Sequence, residues 1–264
     1  MDSGTILQVS LEAAKAGGEV LRRHFRKDIA ARIKVENESY NLVTDADIEA
    51  EKTILSIIQK YFPDDAILAE ESANEAKLKE RTWIVDPLDG TNNFAHSIAQ
   101  FACSIGFYYN KQPLVAVVYN PISEELFTAI KGQGAFLNGE KIQVSKSSTL
   151  KTSLVCTGFY YDRGQMMEDT LSSIHELFQS DIHGIRRMGA ASLDLCFVAA
   201  GRFDSYFEYK LAPWDFAAGA LIVQEAGGKV TDCKGQELEA RFSSVLASNS
   251  LTHQDVLSIV SKHR

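Results

Sequence analysis

The hydrophobic pattern of this chain changes once, near residue 145, and that change limits the folds that the chain can adopt. Before it, two segments with helical spacing of apolar residues precede alternating runs typical of antiparallel strands. After a polar stretch at 145–149, strand-like and helix-like segments alternate. The sequence therefore predicts an α+β half over residues 1–145 and an α/β half over residues 146–264.

The same patterns predict individual elements. In the first half we expect one helix ending near Phe25, a second beginning near Thr44 or Asp45, and strands over 101–109, 114–119 and 126–130, with turns at 111–113, 120–121, 132–134 and 138–139. In the second half we expect strands over 154–157, 203–207 and 245–247, and helices over 167–178, 191–200, 214–226 and 254–261.

Composition limits the class of protein. The 264 residues are 45% hydrophobic and 23% charged, which is ordinary for a globular chain. The net charge of −8 argues against binding to nucleic acid, which needs clustered Lys and Arg. No apolar run of 18 residues and no signal peptide are apparent, so we expect no membrane partner and a cytoplasmic location. Four well-separated cysteines without a C-x-x-C motif indicate buried thiols.

Two carboxylates, Asp86 and Asp89, stand three residues apart where a strand-like run gives way to a turn. Carboxylates that face one another repel unless a cation lies between them. Mg²⁺ prefers oxygen ligands of this kind, usually together with phosphate and water. The pair therefore indicates a magnesium–phosphate site, although an ordinary Asp/Gly turn after a strand is the alternative when the pair is taken alone.

Two further acidic residues occupy comparable positions. Glu70, followed by Glu71, ends another short apolar run, and Asp215 stands where a helix is predicted to begin. Each has an ordinary alternative, because Glu70 suits a solvated loop and Asp215 suits the first turn of a helix.

Together these segments resemble the inositol monophosphatase family. Its pattern is an E-E pair, then W-x-x-D-P-[IL]-D-G-T-x-N-[FY], then W-D followed by small residues. This chain matches the three motifs in that order at Glu70–Glu71, at 83–94 and at 214–219. The resemblance covers nearly all of the chain and implies a layered αβαβα sandwich with the active site between its two halves.

The resemblance also implies a set of metal ligands for two or three Mg²⁺ ions. Asp86 would bridge two ions, with Glu70 and the carbonyl of Leu88 completing the ligands of the first. Asp89 and Asp215 would complete those of the second ion, and a third ion would lie near Glu70. Glu71 would give structural support.

Thr91 and Asp47 are the residues that the resemblance assigns to orienting the attacking water, and Glu70 counts with them as catalytic. From the sequence alone, Asp47 equally suits the first turn of a helix. The backbone N–H groups of Gly90 and Thr91 are expected to receive phosphate oxygens, because glycine lets the backbone come close.

The substrate wall is expected to include Gly189, Ala190, Ala191 and Glu208, beside Asp89, Gly90, Thr91 and Asp215. Compared with the family's R-x-x-G-[ST]-A-A segment, Ala190 replaces a hydroxyl residue and Ser192 replaces a small apolar one. One hydroxyl contact with substrate is therefore in doubt. Glu208 matches the acid that accepts hydrogen bonds from polyol hydroxyls, although an exposed strand-end acid is equally consistent with the sequence.

The implied activity is Mg²⁺-dependent hydrolysis of a phosphate monoester, foremost inositol monophosphate, by metal-activated water. A small phosphorylated polyol or sugar is the expected substrate, and the resemblance adds lithium sensitivity and a homodimer. Fructose-1,6-bisphosphatase activity, alone or in addition, is the enzymatic alternative, and a regulatory binding protein on the same fold is the non-enzymatic one. Lys34 is a further candidate near the metals, whereas the six histidines are expected to be structural or exposed.

Overall fold

Two amphipathic helices cover one face of a large sheet. The protein is described here by a computed structural model, over residues 2–27, 32–33, 42–72 and 78–263. Helix α1 (Ser3–His24) and helix α2 (Asp45–Tyr61) pack against one another. Thr44 is the N-cap of α2 and accepts a hydrogen bond from the Ala46 amide, so the predicted cap is confirmed.

The sheet beneath these helices has seven strands in sequence order. They are β3 (Ala66–Ala69), β4 (Arg81–Asp89), β5 (Ala102–Tyr109), β6 (Gln112–Asn120), β7 (Glu125–Ile130), β8 (Gly134–Leu137) and β9 (Glu140–Ile142). The β3–β4 pair is parallel and the other pairs are antiparallel. A separate two-stranded ribbon joins β1 (Arg32–Ile33) and β2 (Leu42–Val43).

The second sheet has five strands in the order β11-β10-β12-β14-β13. They are β10 (Leu154–Thr157), β11 (Gly184–Arg186), β12 (Ser205–Leu211), β13 (Lys229–Thr231) and β14 (Ser243–Ser248). Strand β10 runs parallel to both β11 and β12, whereas β14 runs antiparallel to β12 and β13.

Two apolar helices fill the space between the sheets. Helix α5 (Ala191–Ala199) and helix α6 (Pro213–Glu225) pack on each other and contact strands of both sheets. Every residue of α5 is buried, as expected for a helix enclosed on all sides. Their side chains form the core between the two sheets.

Helix α4 (Gln165–Gln179) and helix α7 (His253–Val260) pack on the second sheet and on each other. The layers are therefore helices, sheet, helices, sheet and helices, and the predicted αβαβα fold class is confirmed. The predicted boundary at residue 145 falls between β9 and β10, and its status as a domain boundary stays a prediction.

Several details differ from the expected elements. The turn predicted at 111–113 consists of Asn110 and Lys111, both with positive φ, because Pro113 already pairs with Tyr108 in the sheet. The strand predicted over 203–207 occupies Ser205–Leu211. Strands β11 and β13, each of three residues, are too short to show a period in the sequence.

All four cysteine side chains are buried thiols, as expected. Among the helices within the described ranges, none is long and apolar enough to span a membrane.

Candidate active site

The end of β4 brings the paired carboxylates into one cavity. Its pairing with β5 is irregular between Asp86 and Asp89, and such a bulge changes the direction of side chains. Gly90 then has a φ of 96°, and a Cβ there would lie 2.9 Å from the carbonyl oxygen of Gln100. Both the conformation and the space therefore require glycine at this turn, before the short helix α3 (Thr91–Ala95).

The other two acids reach the same cavity from separate elements. Glu70 follows β3, and its amide donates to the carbonyl oxygen of Val85 in β4 at 3.2 Å. Asp215 lies in the first turn of α6, where its Oδ2 accepts a hydrogen bond of 2.7 Å from the Ala212 amide. Asp215 thus has the helix-start role that the sequence left open, and it also lines the cavity.

This cavity has a volume of about 280 Å³ and a strongly acidic lining. Within the described chain, six lining residues are Asp or Glu and the single basic one is Arg187. The six acids are Glu70, Asp86, Asp89, Asp194, Glu208 and Asp215. A negatively charged phosphate would be repelled from such a lining unless cations accompanied it.

Burial and mutual repulsion raise the pKa values of the central carboxyl groups. The pKa of Asp86 lies well above its usual value because the group is buried and faces the charges of Glu70, Asp89 and Asp215. Burial and the charges of Asp89 and Glu70 likewise raise the pKa of Asp215. Burial raises the pKa of Asp89 to about 6, against the opposing effect of hydrogen bonds from Ser192.

The donor set fits a hard divalent cation in its chemistry. Glu70, Asp86, Asp89 and Asp215 offer carboxylate oxygens, and Leu88 in the same lining offers a carbonyl oxygen. Within the described residues, no three acidic, histidine or cysteine side chains already stand as the ligands of one ion. Small adjustments of the carboxylates around a cation would therefore accompany its binding.

Thr91 and Asp47 are in direct contact. The Thr91 hydroxyl lies 3.1 Å from Oδ1 of Asp47 and 3.0 Å from the carbonyl oxygen of Leu88. Asp47 also accepts hydrogen bonds from the amide and hydroxyl of Thr44, so it belongs to the capping box of α2 as well. Burial raises the pKa of Asp47 to about 6.

Glu208 also lines the cavity and is buried there. The exposed strand-end alternative is thus wrong. The Tyr206 hydroxyl donates to Oε2 of Glu208 at 2.6 Å, and burial raises the pKa of this carboxyl to about 7. Gly189 and Ala191 line the cavity, while Ala190 between them is fully buried and caps α5.

Ser192 stands two residues after the position where the family has a hydroxyl residue, and it makes hydrogen bonds with Asp89. Its hydroxyl and its amide both donate to Oδ2 of Asp89, at 2.6 and 2.7 Å. The side chain is fully buried. Ser192 therefore orients one of the expected metal ligands, and its hydroxyl does not replace the substrate contact that Ala190 lacks.

Sequence reasoning missed two cavity residues, Asp194 and Gly158, of which only Asp194 has a signal in the sequence. Asp194 is an acid within the otherwise uncharged helix α5, and in the described structure its buried Oδ1 has no hydrogen-bond partner. Burial raises the pKa of Asp194 well above its usual value. Gly158, just after β10, faces the Glu208 carboxylate.

Glu71 and Lys34 are the two remaining residues that the sequence placed near the metals. Glu71, expected to be supportive, donates its amide to Oε2 of Glu51 at 2.8 Å, which ties this loop to α2. Lys34 lies outside the described residues.

Comparisons with known proteins show the family of this chain and its fold. A model of the inositol monophosphatase family matches residues 2–264. The chain is 41% identical to the inositol-1-monophosphatase of Synechocystis, over 97% of this chain and 88% of that protein. It is 38% identical to the Nus factor SuhB of Pseudomonas aeruginosa, over 98% and 96% respectively. The solved IMPase of Thermotoga maritima superposes with a TM-score of 0.89 at 35% identity and covers 98% of each chain.

Proposed function

Because this chain belongs to the inositol monophosphatase family, we propose that it hydrolyses inositol monophosphate to inositol and phosphate with Mg²⁺ as its cofactor. The observation that carries this proposal is the convergence of Glu70, Asp86, Asp89 and Asp215 in one acidic cavity. Relatives at about 40% identity that are named inositol monophosphatase support the same activity.

The chain's own oxygens would hold two or three Mg²⁺ ions. Asp86 would be shared by two ions, with Glu70 and the Leu88 carbonyl on one side and Asp89 and Asp215 on the other. When bound, Mg²⁺ supplies Lewis-acid chemistry, which neutralises phosphate charge, lowers the pKa of water and stabilises the departing alkoxide. The raised pKa values of Asp86 and Asp215 support this assignment, because carboxylates that repel one another gain most from a cation.

Thr91 and Asp47 would orient the water that attacks phosphorus. Since the Thr91 hydrogen points to Asp47 or to the Leu88 carbonyl, the Oγ1 lone pairs are left to accept a hydrogen bond from that water. A water that donates to Thr91 in this way would keep its own lone pairs for attack on phosphorus. Gly90 and Thr91 line the cavity, and their amides would receive phosphate oxygens.

The alcohol part of the substrate would contact the part of the cavity lining that includes Glu208. The Glu208 carboxylate would accept hydrogen bonds from ring hydroxyls, and Gly189 and Ala191 would supply a small-residue surface, whereas the buried Ala190 would not reach the substrate. A buried acid at this place suits a polyol and disfavours a second phosphate, because like charges repel.

A sugar bisphosphate such as fructose 1,6-bisphosphate is a second candidate substrate, favoured by one observation. Arg187 lines the same cavity, and a guanidinium suits a second phosphate. The proximity of its charge to Glu208 reduces that advantage, since each partly neutralises the other.

Relatives named Nus factor SuhB motivate a non-enzymatic alternative, in which the same fold mainly binds a partner. Retention of the whole expected acid set favours the enzyme, because a pure binding protein has no need of it. A cytoplasmic location, a homodimer and inhibition by lithium complete the proposal. The location rests on the sequence composition, and the other two rest on the family resemblance alone.

Phosphate release from a panel of substrates tests the proposal. The panel contains inositol 1-phosphate, fructose 1,6-bisphosphate, histidinol phosphate and phosphoadenosine phosphate, each with Mg²⁺ and with a chelator. We expect the highest kcat/KM for inositol 1-phosphate and no turnover in the chelator. Absence of turnover on every substrate, or turnover that chelation leaves unchanged, would refute the proposal.

A further inference from the structure

Gly158 and the carboxylate of Glu208 occupy adjoining space in the cavity wall. Strands β10 and β12 are parallel neighbours, with Thr157 paired to Phe207, so Gly158 follows one strand where Glu208 stands on the next. A Cβ added at Gly158 would lie 1.8 Å from Oε2 of Glu208 and 2.4 Å from its Cδ. Such distances are far inside van der Waals contact, so any side chain at position 158 would have to displace the carboxylate.

The backbone does not itself require glycine at this position. The φ angle of Gly158 lies outside the left-handed region, unlike that of Gly90. Its amide donates to the Phe207 carbonyl at 3.3 Å, which an amide of any residue except proline can do. The space taken by Glu208 is therefore the reason for glycine here.

The carboxylate has little freedom to move elsewhere. Glu208 is 8% exposed, and its Oε2 accepts the 2.6 Å hydrogen bond from the fully buried Tyr206 hydroxyl. Oε2 is thus fixed between that hydroxyl and the Cα of Gly158. A displaced carboxylate would lose a buried hydrogen bond and leave the phenol without its acceptor.

We infer that Gly158 is a positioning residue that reserves the space of the Glu208 carboxylate and thereby sets the preference for a polyol leaving group. This inference rests on the proposed contact between Glu208 and substrate hydroxyls. Gly158 acts through Glu208 and takes no part in the bond-breaking step.

The test is a double-mutant cycle on two substrates. Gly158→Ala, Glu208→Ala and the double variant are compared with wild type on inositol 1-phosphate and on p-nitrophenyl phosphate, which has no ring hydroxyls. For Gly158→Ala we expect kcat/KM for inositol 1-phosphate to fall about ten- to hundred-fold relative to the aryl phosphate, mostly through KM. The double variant should match Glu208→Ala within about two-fold, because no carboxylate remains to be displaced.

Gly4→Ala, in α1 and remote from the cavity, controls for a general effect of adding a methyl group to a glycine. If Gly158→Ala fails to fold, the double variant should fold, because removing the carboxylate makes room for the methyl group. An unchanged substrate preference in Gly158→Ala, multiplicative losses in the double variant, or a double variant that still fails to fold would each overturn the inference.

A crystal structure of Gly158→Ala separates this inference from the proposed function. If wild type releases no phosphate from either substrate, the proposed function fails while the steric relation is still measured there. The Glu208 carboxylate must be displaced from the Tyr206 hydroxyl in that structure. An undisplaced carboxylate would overturn the inference even if the enzyme is active.

Discussion

The Thr91 hydroxyl and the Asp47 carboxylate, separated by 44 residues in the sequence, are joined by a hydrogen bond of 3.1 Å. This contact links the start of α2 to the turn that follows β4. Asp47 therefore has two partners of different kinds, the cap residue Thr44 and the cavity residue Thr91. The capping role of Asp47 at the start of α2 is therefore compatible with a second role in the reaction.

Removing the Thr91 hydroxyl should slow turnover far more than it weakens substrate binding. For Thr91→Ala we expect kcat to fall about 10²- to 10⁴-fold with a much smaller change in KM, as for other positioned proton-transfer groups. Thr91→Ser, which keeps the hydroxyl, should recover most of the loss. Steady-state kinetics on inositol 1-phosphate measures both variants. A Thr91→Ala enzyme with wild-type kcat would exclude a role of Thr91 in orienting the attacking water.

Asp47→Asn should act on the same step as Thr91→Ala. Because one hydrogen bond joins the two side chains, the double variant should lose less than the product of the two single losses. Losses that multiply cleanly would mean that Asp47 serves only as a cap of α2.

Ser192 is expected to orient the Asp89 carboxylate for binding a cation. Its hydroxyl and amide both donate to Oδ2 of Asp89, and loss of such a supporting hydrogen bond commonly costs about 10- to 100-fold in metal affinity. Ser192→Ala should therefore need about ten-fold more Mg²⁺ for half-maximal activity, with much of kcat recovered at saturation. Calorimetric titration of the metal-free protein with Mn²⁺ should show the same loss of affinity.

Ser10→Ala is the matched control, since that buried hydroxyl donates only to the Ile6 carbonyl within α1. An unchanged metal affinity in Ser192→Ala would contradict the supporting role.

Glu208→Gln should separate substrates by their leaving groups. A charged hydrogen bond to ring hydroxyls is worth about 1.5–3 kcal/mol, so kcat/KM for inositol 1-phosphate should fall roughly ten- to hundred-fold. An aryl phosphate should lose much less, and fructose 1,6-bisphosphate should gain or stay level because a negative charge is removed. Equal losses on all three substrates would mean that Glu208 supports the fold or the metal ligands.

The motif at 83–94 carried most of what the sequence could predict. Its Asp/Gly turn after a strand, together with Glu70 and Asp215, led to the family and hence to the layered fold, which the comparisons confirm. Long amphipathic helices such as α1 were also readable, because one face must be apolar.

Contacts between distant segments were not readable from the sequence. Nothing local to Ser192 indicates that its hydroxyl lies 2.6 Å from Asp89, since the two are joined only when the start of α5 meets the end of β4. Gly158 is likewise an ordinary loop glycine until β10 and β12 pair. Asp194 is different, because an acid within an otherwise apolar helix is visible in the sequence itself.

His253 should make stability depend on pH. Its ring nitrogens contact the hydroxyls of Ser248 and Thr231, at 2.8 and 3.1 Å, and burial lowers its pKa from 6.5 to about 4. Between these values the unfolded chain binds a proton that the folded protein does not. The His253 contribution is therefore present above pH 6.5 and is lost as the pH falls toward 4.

Urea unfolding at pH 7.5, 5.5 and 4.5 measures this effect as the difference between wild type and His253→Gln. The pKa values of Asp47 and Asp89 are raised to about 6, so these two groups make the folded state more stable as the pH falls. Both proteins contain them, so their effect cancels in the difference between wild type and His253→Gln. The stability advantage of wild type should shrink as the pH falls. An advantage that is constant with pH would contradict the shifted pKa of His253.

The most direct test of the metal-assisted phosphatase assignment is kcat of Asp86→Asn on inositol 1-phosphate at saturating Mg²⁺. The change keeps the size of the side chain and removes the charge that two ions would share, while an unaltered melting temperature would establish that the protein still folds. Asp181→Asn, at an exposed position with φ 57° that asparagine also tolerates, is the matched control. We predict that Asp86→Asn loses several orders of magnitude in kcat while the control keeps wild-type turnover. An Asp86→Asn enzyme that retains more than about a tenth of wild-type kcat would contradict the two-ion assignment.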